Sequence, residues 1–161
     1  MIKFLNDKLD KLGATKFRYS APLISLISDL TLLYYIKKLV VRDFANIQTV
    51  NMALKMQQID PMIVNTQDKQ AIINMLLTSL NLGLTIIITI NLTVYAFCLK
   101  NTPWAKNYLK GYAFTGAVLS VFEIIVYYTK LSTVNSITVI TMLMYFIVYY
   151  GYRHFMRKEE L

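Results

Sequence analysis

One cysteine, Cys98, and one histidine, His154, are all that the chain has of either residue. A lone cysteine rules out an intrachain disulfide, a multi-cysteine metal site and a CxxC redox pair. Charge is scarce too: 16% of residues are charged, against roughly 25% in an average soluble domain. Acids are the rarer sign, nine Asp plus Glu facing 17 Lys plus Arg, for a net charge of +8. No HExxH, GxSxG, P-loop or metal-ligand cluster occurs, so neither enzyme chemistry nor a cofactor or metal is expected. Signatures of RNA or DNA binding are missing as well, so nucleic acid is not the expected partner of the positive charge.

Apolar residues dominate what remains. They make up 56% of the chain, and mean hydropathy is +0.45. They fall into four runs, 21–41, 71–99, 107–129 and 132–152, each long enough to cross a bilayer, which takes about 20 residues. A soluble helix of such length would show a charged outer face, and these do not. The expected fold is therefore all-α, an integral membrane four-helix bundle. With one cysteine it is not one of the four-helix membrane enzymes that relay electrons through cysteine pairs.

Charge around the runs sets the expected orientation. Lys3, Lys8, Lys11, Lys16 and Arg18 precede the first run. Lys100, Lys106 and Lys110 lie between or just inside the second and third, and Arg153, Arg157 and Lys158 follow the fourth. The opposite side has Lys130 in the last loop and a long first loop that mixes Arg42, Lys55 and Lys69 with Asp43, Asp60 and Asp68. Both termini should face the cytoplasm, in a cell inner membrane. Lys37 and Lys38 run against this count, but at a span end they can snorkel. Tyrosines frame the same layout, with Tyr34, Tyr35, Tyr127 and Tyr128 as an outer belt. Tyr95, Trp104, Tyr108, Tyr149, Tyr150 and Tyr152 form an inner one.

Two segments lie outside the runs. In residues 1–20, Ile2, Leu5, Leu9 and Leu12 recur at helical spacing up to Gly13, which predicts a short amphipathic helix on the cytoplasmic surface, as an anchor or a docking helix. This stretch is too polar for a cleavable signal peptide and has no apolar core. Residues 42–70 should form an extracytoplasmic loop with a helix over about 43–58, a turn at Asp60-Pro61 and a cap at Asn65 or Thr66. The last nine residues, 153–161, form a basic tail suited to anionic lipid headgroups.

Inside the runs, polar and small residues share faces. The second has Asn74, Thr78, Asn81, Thr85 and Thr89; the third has Gly116, Ser120, Glu123 and Tyr127; the fourth has Thr138, Thr141, Tyr145 and Tyr149. Such stripes turn toward one another as packing surface or as a polar path. Two acids stand apart, because a carboxylate in a span costs about 2.5–3.5 kcal/mol and is rarely idle. Counting a rise of about 1.5 Å per residue puts Asp29 about 12 Å from the cytoplasmic edge, where Asn81, Thr85 and Tyr145 are its expected partners. Glu123 is expected level with Lys37 and Lys38, as an ion pair.

An acid in the first of four spans resembles the arrangement of the small multidrug resistance transporters, in which a membrane carboxylate exchanges protons for drugs. The likeness is confined to Asp29, since those chains are shorter and lack a long outer loop. The turn KNTPWAKNYLK is similar to that of many small bacterial tetraspan proteins and implies no activity. Two functions follow. One is a non-catalytic subunit or accessory protein of a membrane complex, self-associated or joined to other subunits. The other is a small oligomeric proton- or cation-coupled transporter or channel built on Asp29.

Overall fold

A computed structural model describes residues 2–127 and 132–159. It is all-helical, with no strand among the described residues and six helices: α1 (Ile2–Leu12), α2 (Ala14–Asp43), α3 (Ile47–Met56), α4 (Thr66–Leu99), α5 (Pro103–Tyr127) and α6 (Ser132–Glu159). Two of them, α4 and α5 as far as Ile125, are long and apolar enough to cross a membrane. Among the described residues, neither α2, which holds Asp29, Lys37 and Lys38, nor α6, rich in tyrosine and threonine, reaches that apolarity. The end of the third expected run, with Tyr128, and the loop after it, with Lys130, lie outside the described residues.

The helices outrun the apolar runs. α2 begins at Ala14 rather than residue 21 and carries Pro22 inside it. α4 begins at Thr66, five residues ahead of the run, and α6 continues to Glu159. Hydropathy marks where lipid would end, whereas a helix ends at a cap or a helix-breaking residue.

The chain divides into two compact units. The first comprises Met1–Leu32 and Ile90–Leu161, and α5 and α6 are its most extensively paired helices. Its core includes Leu9, Phe17, Ala21, Cys98, Leu109, Ala113, Tyr145 and Val148. α1 ends where expected, at Gly13 with φ +79, a conformation that costs glycine little. It is packed against α6 rather than presented free. Leu9 is buried, Tyr150 donates to Asn6 Oδ1 at 2.8 Å, and Asp10 meets both His154 (2.7 Å) and Lys158 (2.6 Å). Nearby, the ring of Phe17 lies edge-on to Tyr152 at 5.2 Å and beside Phe155 at 5.3 Å. Gly151 makes room for it, since a Cβ there would fall 2.2 Å from that ring.

The second unit is Leu33–Thr89. The loop helix is shorter than expected, because Asn46 starts it: its side chain accepts from the Thr49 N–H at 2.9 Å, a strong N-cap interaction. Three residues outside helix separate it from α2. Asp60 Oδ1 takes the Met62 N–H at 2.9 Å, forming the turn at Asp60-Pro61. Asn65, rather than Thr66, caps α4 through the Asp68 N–H at 2.7 Å. Val50 and Leu54 of α3 bury against Ile73 of α4, with Ala45, Val64 and Leu77 around them.

Candidate functional site

Asp29 is 1% exposed and sits at the meeting point of four helices of the first unit. Its face of α2 is built for close packing. Phe17, Ala21, Ser25, Ser28 and Asp29 are all buried at helical spacing, and Ser28 folds its hydroxyl onto the Ile24 carbonyl at 2.9 Å. Donors reach the carboxylate from each of the other three helices. Tyr145 of α6 donates to Oδ1 at 2.6 Å and Tyr112 of α5 to the same oxygen at 3.1 Å. From α4, Asn91 Nδ2 donates to Oδ2 at 3.0 Å, and Tyr95 adds a short hydrogen bond to Oδ2. Asn91 also donates to the Tyr112 hydroxyl at 2.8 Å.

Two close approaches hold this cluster. Gly116 lets the Tyr145 ring lie against α5, since a Cβ at Gly116 would fall 2.9 Å from that ring. Tyr112 and Tyr145 meet edge to face with centroids 6.2 Å apart. An ionised carboxylate offers about four lone-pair sites, and four side-chain donors fill them. Each donor sits on a different helix or a different turn, so the cluster ties α2, α4, α5 and α6 into one arrangement.

Of the residues expected to bond Asp29, Tyr145 does so, and the other donors are Asn91, Tyr95 and Tyr112 in place of Asn81 and Thr85. The latter two belong to the Leu33–Thr89 unit and are exposed, with the Thr85 hydroxyl donating to the Asn81 carbonyl of its own helix at 2.8 Å. The reason is register. Measured from the end of α4 at Leu99, a rise of about 12 Å falls at residue 91. Asn91 and Tyr95, four apart on one face, carried that signal. Tyr95 is thus a buried donor rather than part of a surface belt. Tyr112 was legible one turn before Gly116, on the same small-residue row. The members of the expected ion pair fall in different units. Glu123 is half-buried on α5 in the first unit, and Lys37 and Lys38 are exposed on α2 in the second.

Among the described residues no group of acids, histidine and cysteine is arranged to hold a metal ion. Cys98 is fully buried and free, as a small core residue. His154 binds Asp10. The other notable polar feature is on α4, where Asn74, Thr78, Asn81, Thr85 and Thr89 are all exposed along a helix apolar enough to span a membrane. No protein-family model, curated protein or solved structure matches this chain.

Proposed function

We propose that this is a multi-pass inner-membrane protein, four helices deep with both termini cytoplasmic, that works as a non-catalytic interaction subunit. The exposed polar row of α4 carries the reading. In hydrocarbon, an amide such as that of Asn81 has no water to bond and seeks a partner on another helix. Thr78 and Thr85 flank it on the same face, and Gly83 leaves open space beside the helix. The natural occupant is a helix of another chain, from a second copy or a different subunit, with each interhelical hydrogen bond contributing about 0.6 kcal/mol. The basic ends of the chain favour anionic headgroups by about 1 kcal/mol per cation near the surface.

Asp29 argues against the transport reading. A coupling carboxylate needs room for a proton donor or a cation, and here four of the chain's own donors already occupy it. Its work is to fix the bundle that displays α4.

The test uses a Cys98→Ser background with single cysteines at Asn81 or Thr85, oxidised in native membranes. Crosslinked products at either position support the reading, at twice the chain's mass for self-association or at another mass for a second subunit. A chain that remains monomeric at both positions, while proton flux in liposomes depends on Asp29, would overturn it in favour of transport.

A further inference from the structure

A groove of about 280 Å³ runs between α3 and α4 within the second unit. Val50, Ala53 and Leu54 of α3 and Ile72, Ile73 and Leu76 of α4 wall it. Thr49 and Gln57 are its polar residues, and the Thr49 hydroxyl already donates to the Asp43 carbonyl at 3.0 Å. The volume falls just short of the roughly 300–1,000 Å³ of sites that enclose a whole small molecule. It suits part of a long, slender, apolar ligand.

The position of the groove along α4 decides what reaches it. Val50 and Leu54 bury against Ile73, with Leu77 packed around them. Both α4 residues fall in the first two turns of the apolar run that begins at residue 71, on a helix long and apolar enough to cross a membrane. α3 therefore lies at the level where α4 would enter lipid. Its surface agrees. Gln48 and Lys55, seven residues apart, are exposed along one polar edge. Met52 and Met56 share another face with Thr49 and Ala53, and they are 64% and 86% exposed. A short helix with one polar edge and an exposed apolar face suits the boundary between headgroups and acyl chains. On α4, Lys69 shares the face of Ile72, Ile73 and Leu76. It puts a cation on the headgroup side of the groove, where lipid phosphates attract it.

We propose that this groove seats an acyl chain of a phospholipid from the surrounding leaflet. The inference rests on the membrane placement of α4 proposed above and is independent of any partner subunit.

The experiment places the full chain in phosphatidylcholine vesicles that contain a trace of phosphatidylcholine with a diazirine midway along one acyl chain. After irradiation and digestion with trypsin, lipid adducts are mapped by mass spectrometry. Cleavage after Arg42, Lys55, Lys69 and Lys100 separates residues 43–55 of the groove from residues 70–100 of α4. Adducts are expected on both peptides. Ala53→Phe, at an exposed position on the groove wall, should lower the yield on 43–55 about fourfold or more, as when a single buried CH₂ contact is lost. Adducts mapped to residues 80–99 should not change. Ile72→Gln, at a wall residue 45% exposed, should act as Ala53→Phe does, so either variant decides if the other fails to fold. Adducts on 70–100 with none on 43–55 would overturn the proposal alone, and would leave the groove to a protein occupant such as a second copy. No adducts on either peptide would instead remove the membrane placement on which it rests. Adducts on 43–55 that persist in both variants would overturn it as well, since lipid would then touch the outside of α3 without entering.

Discussion

A methyl group added at Gly151 would sit 2.2 Å from the ring of Phe17. That ring is 2% exposed and wedged between Tyr152 and Phe155, so it has nowhere to swing. Gly151→Ala should destabilise by about 1–3 kcal/mol, as overpacked cores do. Gly83 is the opposite case, with nothing within 4 Å of the added carbon. There alanine should gain about 0.5–1 kcal/mol from helix propensity. Unfolding in detergent checks both, and a loss at Gly83 would mean that another chain packs closely there. At Asp29 the direction is equally definite. Tyr145→Phe removes one donor and should cost about 1–2 kcal/mol, whereas Asp29→Leu strands three phenols and an amide at once and should cost at least about 3. Equal losses for the two variants would show that the cluster adds nothing beyond one hydrogen bond. Asp29 itself was readable from the sequence, because an acid in an apolar run is conspicuous. Its partners were harder to read, because tyrosine serves equally at an interface, in a core and as a donor, and only depth along the helix tells these apart.

At the scale of the helix, α1 was the most legible element. Its apolar residues repeat at helical spacing and Gly13 ends it, so spacing and stop signal agree. What could not be read was its docking on α6, which relies on single polar contacts far apart in sequence. Lys158 and then His154 hold the Asp10 carboxyl below its ordinary value of 3.8 by hydrogen bonding to its charged form. A carboxyl lowered by folding lends stability above its unfolded value and loses it as pH falls through the folded one. Docking of α1 should therefore hold at neutral pH and loosen as pH drops below 3.8. Because Asp10 is exposed, the effect is modest and weakens with salt. Amide-exchange protection of residues 2–12 reads it: protection should fall in acid and, at neutral pH, in Asp10→Asn. Unchanged protection in both would place the docking on Leu9 and the Asn6–Tyr150 hydrogen bond. The α3 helix shows the converse limit of sequence reading. Its apolar face was plain over 43–58, but a single cap at Asn46 moved its start.

For the molecule as a whole, α4 and α5 have the length and apolarity to cross a membrane, and the four-span reading adds α2 and α6 on the strength of their apolar runs. Alkaline carbonate should leave the protein in the membrane pellet. In a Cys98→Ser background, Lys11→Cys and Arg157→Cys should label from one side of the membrane and Met62→Cys from the other. Labelling of positions 11 and 157 from opposite sides would require an odd number of crossings and remove the proposed topology. The sequence pattern carried the helix content well because long apolar runs have one stable form away from water. It carried the division into two units poorly, since α2 and α4 each run through both without any break in pattern.

The cluster at Asp29 also has an order in time. Its donors follow it in sequence by 62, 66, 83 and 116 residues. A growing chain, which folds from its N-terminal end as it is made, must hold that acid without any of these partners until residue 91 emerges, and without the last until residue 145. A product cut short before then retains an unpaired charge where the finished protein has none. Chain completion is thereby written into the chemistry of one side chain, and a membrane protease that senses a bare carboxylate would have a means of telling a fragment from the whole.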